Sequence, residues 1–105
     1  MATRRRKRVN ADTLCREAIE RSPNLTVPWY LMTSYLYYHE DESLISDGLY
    51  DAMCKLMLDR WDEITHPHKH LIHKDALAAG SGFDIPKDAY PEIAKGAAIR
   101  LLCEG

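Results

Sequence analysis

The sequence predicts an all-α domain, a small bundle of four or five helices built on a helix-loop-helix hairpin, and three observations predict it. Apolar residues recur at i, i+3, i+4 and i+7 in separate stretches, the spacing of single buried helical stripes. Between those stretches stand residues that start and stop helices, such as Ser46, Pro28, Pro91 and the run Ser22-Pro23-Asn24. No segment shows the sustained period-two alternation of a half-buried strand. With 105 residues, 46% of them hydrophobic, there is material for one modest core and not for two.

The elements follow in order. Residues 1–9 form a basic tail expected to be disordered, and residues 10–105 a single helical domain. Asn10 or Asp12 is positioned to cap a first helix that runs to about residue 21, with Leu14, Ala18 and Ile19 apolar and Cys15 beside them. Pro28 then suits the first turn of a second helix over 29–39, with Trp29, Met32 and Leu36 on the core side. A third helix is predicted over 46–62. Ser46 is its N-cap, Asp47 sits where the helix dipole favours a negative charge, and Tyr50, Met53, Cys54, Met57, Leu58 and Trp61 make its stripe. A short helical turn over 75–79 ends at Gly80-Ser81-Gly82, and Pro91 opens a last helix over 91–103. The inner stripe of that helix is expected to be Ile93, Ala94, Ala97, Ala98, Leu101 and Leu102, with Gly96 costing it about 1 kcal/mol of propensity.

Charge is spread unevenly. Of the fourteen basic residues, five are Arg4, Arg5, Arg6, Lys7 and Arg8, which leaves nine against sixteen acidic residues, a net of minus seven on the rest of the chain. Such a tail suits the phosphates of nucleic acid, a membrane surface or the body's own acidic face, or simply keeps the chain soluble. No apolar run is long enough to cross a membrane, and no apolar segment of a secretory signal follows the arginines. Cys15, Cys54 and Cys103 are odd in number and widely spaced, which reads as reduced thiols and a cytoplasmic setting.

Two clusters carry chemistry. In the first, Asp47 and Asp51 stand at i, i+4, so their carboxylates share one side of the third helix beside Tyr50, where like charges repel. On the preceding helix Tyr35, Tyr37 and Tyr38 put more rings into one turn than a single buried face accepts. At least one ring is therefore expected to face the carboxylates, which suits a flat, cationic or hydroxyl-rich ligand. Aromatic residues at helical spacing more often fill a core than present a platform, and the pattern by itself leaves both readings open. The second cluster is His66, His68, His70 and His73. Imidazoles at this density invite a metal reading. Without a CxxC pair or an HExxH helix to make them converge, a polar surface loop is the stronger reading, and no metal is assigned.

The run Tyr35-Leu-Tyr-Tyr-His-Glu-Asp-Glu-Ser-Leu-Ile-Ser-Asp-Gly-Leu-Tyr-Asp51-Ala-Met resembles the small N-terminal helical domain of NAD-dependent DNA ligases, whose pattern is roughly Y-x-Y-[HY]-x-x-D-x-P-x-I-[PS]-D-x-x-Y-D-x-L. The resemblance extends over residues 30–67. In that family the domain folds over the nicotinamide half of NAD and grips nicotinamide mononucleotide (NMN). It implies that Tyr37 and Tyr38 face the nicotinamide, Tyr38 where many members have His, and that Asp47, Tyr50 and Asp51 are the remaining contacts for NAD or NMN. Ser43 departs from the family's loop proline and leaves the loop less rigid. A ligand phosphate would then need Lys55, Arg60 or the N-terminal arginines.

The ligase chemistry itself needs a nucleophilic lysine in a K-x-D-G setting within a nucleotidyltransferase fold, and the sequence holds neither. The resemblance thus implies a non-catalytic nicotinamide-nucleotide binding module, similar to the orphan domains that bacteriophages encode. The alternative is a helical interaction protein that docks on a larger replication or ligation partner while Arg4–Arg8 contact nucleic acid.

Overall fold

The structure, a computed structural model, describes residues 11–81 and 85–104; the basic tail and its five cations, the candidate cap Asn10, and Gly82 lie outside them. Five helices and no strand form among the described residues, in agreement with the all-α prediction: α1 (Asp12–Arg21), α2 (Thr26–His39), α3 (Asp47–Asp59), α4 (Lys74–Ala79) and α5 (Glu92–Glu104).

Helix α2 is the axis of the molecule. Apart from Pro28, every residue from Thr26 to Leu36 is buried, more than the one-sided core face of Trp29, Met32 and Leu36 that periodicity suggests. Each large apolar side chain so buried contributes about 1.5–3 kcal/mol. The helix can be apolar all round because α1, α3 and α5 surround it. Its polar side chains are satisfied internally: the Thr33 hydroxyl donates to the carbonyl of Trp29 at 2.7 Å, the i−4 bond that keeps a buried threonine from being orphaned. Pro28 falls in the first turn, where no intrahelical partner for an N–H is lost.

Helix α5 packs on α2 through its alanines, Ala94 and Ala98 being buried. The expected stripe is corrected at its first position: Ile93 is 75% exposed. It precedes the buried Ala94 by 100° of helix rotation, so the alanines, which permit the closest approach to α2, turn it to solvent. In α1 the same happens to Leu14, which is 50% exposed while Cys15 and Ile19 are buried.

Helix α3 begins as predicted, with the Ser46 hydroxyl accepting from the N–H of Leu49 at 3.2 Å. It stops three residues short of the expected end, and Trp61–Glu63 continue as a 3₁₀ turn. Lys69 accounts for the turn: its ammonium donates to the carbonyls of Trp61 (2.8 Å) and Ile64 (2.9 Å) and lies 4.7 Å over the Trp61 ring. The carbonyls that open and follow the turn thus share a charged donor. The side chain of Asn24 fastens the chain just beyond this turn, accepting from Thr65 N–H at 2.8 Å and donating to its hydroxyl at 3.1 Å.

Candidate functional site at the hairpin

The first half of the site is the end of α2. The carbonyl of Leu36 accepts from both Glu40 and Glu42, and Asp41 takes a positive φ of 56°, which short polar side chains tolerate better than most. This turns the chain back sharply. Leu44 and Ile45, 2% and 8% exposed, then fasten the connection to the core. Asp12 adds a clamp: instead of capping α1 it accepts from the N–H of Ser46 at 2.8 Å, and the N-cap position of α1 falls to Ala11, which has no side chain to cap with.

All five residues expected at the site, Tyr37, Tyr38, Asp47, Tyr50 and Asp51, line one cleft of about 180 Å³ that is partly open to solvent. That is below the roughly 300–1,000 Å³ of pockets that enclose a drug-sized ligand, so the cleft has room for a ring-sized group and leaves the rest of a larger ligand in solvent. Thr33, Ser43, Leu44, Ile45 and Gly80 complete the lining. Thr33 was legible, standing one turn before Tyr37 on the same face. Nothing in the sequence pointed to Gly80. It ends α4 at φ 68°, with the N–H of Ser81 bonded to the carbonyl of Ala76, and α4 packs against α3.

The rings divide by role. Tyr35 leaves the site and turns inward, where it meets Tyr90 edge-on at 5.4 Å and donates to the Glu40 carboxylate at 2.6 Å. Tyr37, 53% exposed, presents its ring at the mouth, perpendicular to that of Tyr38 at 4.9 Å. Tyr50 forms the floor, stacked on the buried Tyr30 at 5.8 Å with 16° between planes. Its hydroxyl lies 2.7 Å from the buried Ser34 hydroxyl and also hydrogen-bonds Tyr30, whose own hydroxyl donates to the carbonyl of Ser81 at 2.6 Å. Burial holds the Tyr50 phenol well above its ordinary value, so it stays neutral in the physiological range.

The carboxylates are exposed at the rim. Asp51 pairs with Lys55 one turn on, at 2.8 Å, an exposed pair that solvent screens. Lys55 is therefore engaged, and its ammonium is held protonated by that bond. Arg60 is too far along α3 to serve the cleft: it bonds Glu63 at 3.1 Å and lines a separate hollow with Ile19, Glu20, Pro23 and Leu56. Of the three sources of a phosphate-binding cation, Lys55 is paired with a carboxylate of the cleft itself, Arg60 faces away from it, and the N-terminal arginines lie outside the described residues.

The histidines form a ladder. His66 and His68 have ring centroids 5.3 Å apart, and those of His68 and His70 are 6.5 Å apart. His66 accepts from the N–H of His68 through Nδ1 at 3.1 Å. Among the described residues no three His, Cys, Asp or Glu side chains converge on a point suited to a metal ion. No described helix is long and apolar enough to cross a membrane.

No protein family, characterised protein or solved structure matches the chain.

Proposed function

We propose that the protein is a non-catalytic binding module for nicotinamide nucleotides, NMN or NAD, which it takes by the nicotinamide-ribose end. The observation that carries this reading is the single cleft lined by Tyr37, Tyr38, Asp47, Tyr50 and Asp51, residues contributed by two helices and brought together by the sharp turn at Asp41. Exposed aromatic surface attracts a pyridinium through its ring quadrupole. The carboxylates, acceptor-only groups, suit ribose hydroxyls and offset the pyridinium charge. The neutral Tyr50 hydroxyl adds a polar edge to the floor.

Isothermal titration with NMN and with NAD tests the reading, on the wild type and on an Asp47→Ala, Asp51→Ala double variant shown to be folded by circular dichroism. One-to-one binding by the wild type that is lost in the variant is expected. Absence of heat, together with absence of a thermal shift at millimolar ligand, overturns it.

A second reading draws on the outer face of α5, where Ile93 and Ile99 are 75% and 40% exposed. An interaction protein docked on a replication or ligation partner, with Arg4–Arg8 on nucleic acid, would use such a face. Salt-dependent retention on immobilised DNA or RNA is its test.

A further inference from the structure

We infer that the cleft selects by charge: it takes a flat, hydroxyl-bearing monocation, a pyridinium nucleoside, in preference to the same compound carrying a phosphate. The inference rests on the reading that this cleft takes the nicotinamide-ribose end, and it shifts the preferred ligand from the nucleotide to the corresponding nucleoside.

The composition of the lining carries it. Two of its ten residues, Asp47 and Asp51, are carboxylates, and none is Lys, Arg or His. The cation next along α3, Lys55, is already bonded to Asp51 at 2.8 Å. For Lys55 to serve a phosphate it would have to leave Asp51 bare at the same rim, so its charge is not gained twice. Arg60 is bonded to Glu63 and faces a different hollow.

At the start of α3 the Ser46 hydroxyl takes the N–H of Leu49 and leaves those of Asp47 and Gly48 as the helix-end donors. Asp47 already places a carboxylate in the first turn, where an incoming anion would otherwise gain from the helix dipole. The surrounding chain, residues 4–8 apart, carries a net charge of minus seven.

A monocation meets the opposite situation. Asp47 attracts it in full and Asp51 in the part that Lys55 leaves unneutralised, and the rings of Tyr37 and Tyr38 supply polarisable surface at the mouth. A phosphate attached to the same ribose brings about two negative charges at neutral pH to a rim that, with Asp47, Asp51 and Lys55, is itself net negative by one.

The test is a comparison, in the full-length chain, of nicotinamide riboside with NMN by isothermal titration at about 10 mM salt, where screening is weak, and again at about 1 M. The riboside is expected to bind about tenfold or more tighter at low salt, with the gap shrinking as salt rises. Asp47→Asn, which keeps the shape and removes one charge, is expected to narrow the gap by weakening the riboside and relieving NMN. Equal or tighter binding of NMN at low salt overturns the inference while the cleft remains a nicotinamide site; arginines 4–8 then become the phosphate's source of charge. Failure of both compounds to bind overturns the inference and the proposed function together.

Discussion

A Cβ atom placed on Gly80 would stand 3.0 Å from Oδ1 of Asp51. The end of α4 is thus laid directly against a carboxylate of the cleft, and Gly80 is what allows it. Gly80→Ala meets two penalties, the left-handed φ of 68° and the crowded carboxylate. Together they are expected to lower stability by about 1–2 kcal/mol. In an Asp51→Ala background the steric part should vanish and the backbone part remain, so urea unfolding of the four proteins should show partial, not full, relief. An unchanged cost in that background would mean that the contact with Asp51 contributes nothing.

The Ser34 and Tyr50 hydroxyls, 2.7 Å apart, tie the buried face of α2 to the floor of the cleft. Tyr50→Phe leaves the fully buried Ser34 hydroxyl short of a partner and is expected to cost about 1–2 kcal/mol. Adding Ser34→Ala should cost less than the sum of the two single changes. Strict additivity in denaturant unfolding would rule out the coupling.

The thiols should separate by accessibility. Burial pushes the Cys15 and Cys54 thiols up to about 12, and both are enclosed, whereas Cys103 is exposed. Reaction of the native protein with a disulfide reagent is expected to modify Cys103 alone, with the other two following only on unfolding. Mass mapping that finds Cys15 or Cys54 labelled at the same rate would contradict the packing of α1 or α3.

His66 makes stability depend on pH in a defined direction. Burial, and secondarily the neighbouring His68, hold its imidazole below the ordinary 6.5. The unfolded chain therefore takes up this proton first as pH falls. The stabilisation is complete above 6.5 and is lost as pH drops from there to the lower folded value. His66→Asn, which keeps an acceptor for the His68 N–H, should flatten the stability difference between pH 7.5 and 5.5 measured by urea unfolding. An identical slope in wild type and variant would show that His66 is not responsible.

Which tyrosines of α2 would meet the carboxylates followed only from the resemblance to the ligase domain; the cap at Ser46, the tolerance of α2 for Pro28 and the shared helix side of Asp47, Tyr50 and Asp51 were legible in the sequence. Each of these three depends on chemistry acting within a few residues: a hydroxyl reaching its own helix's free N–H, a ring without an N–H to lose, carboxylates spaced by one turn. The helical class followed from the same local signals.

Tertiary structure alone decided which of two adjacent apolar residues faced inward. Leu14 and Ile93 satisfy the helical period as well as their neighbours do, yet both are exposed, because the final rotation of a helix is set by the partner it packs on. Likewise Asp12 was free by its sequence to cap α1, and the fold gave it to Ser46 instead, 34 residues away. The placement of Gly80 against Asp51 is of the same kind, whereas the pairs Lys55–Asp51 and Arg60–Glu63, one turn apart, are local. Local chemistry determined where helices begin, which side chains share a turn and so the charge along α3; packing between distant segments determined which of those side chains meet, and so the shape of the cleft.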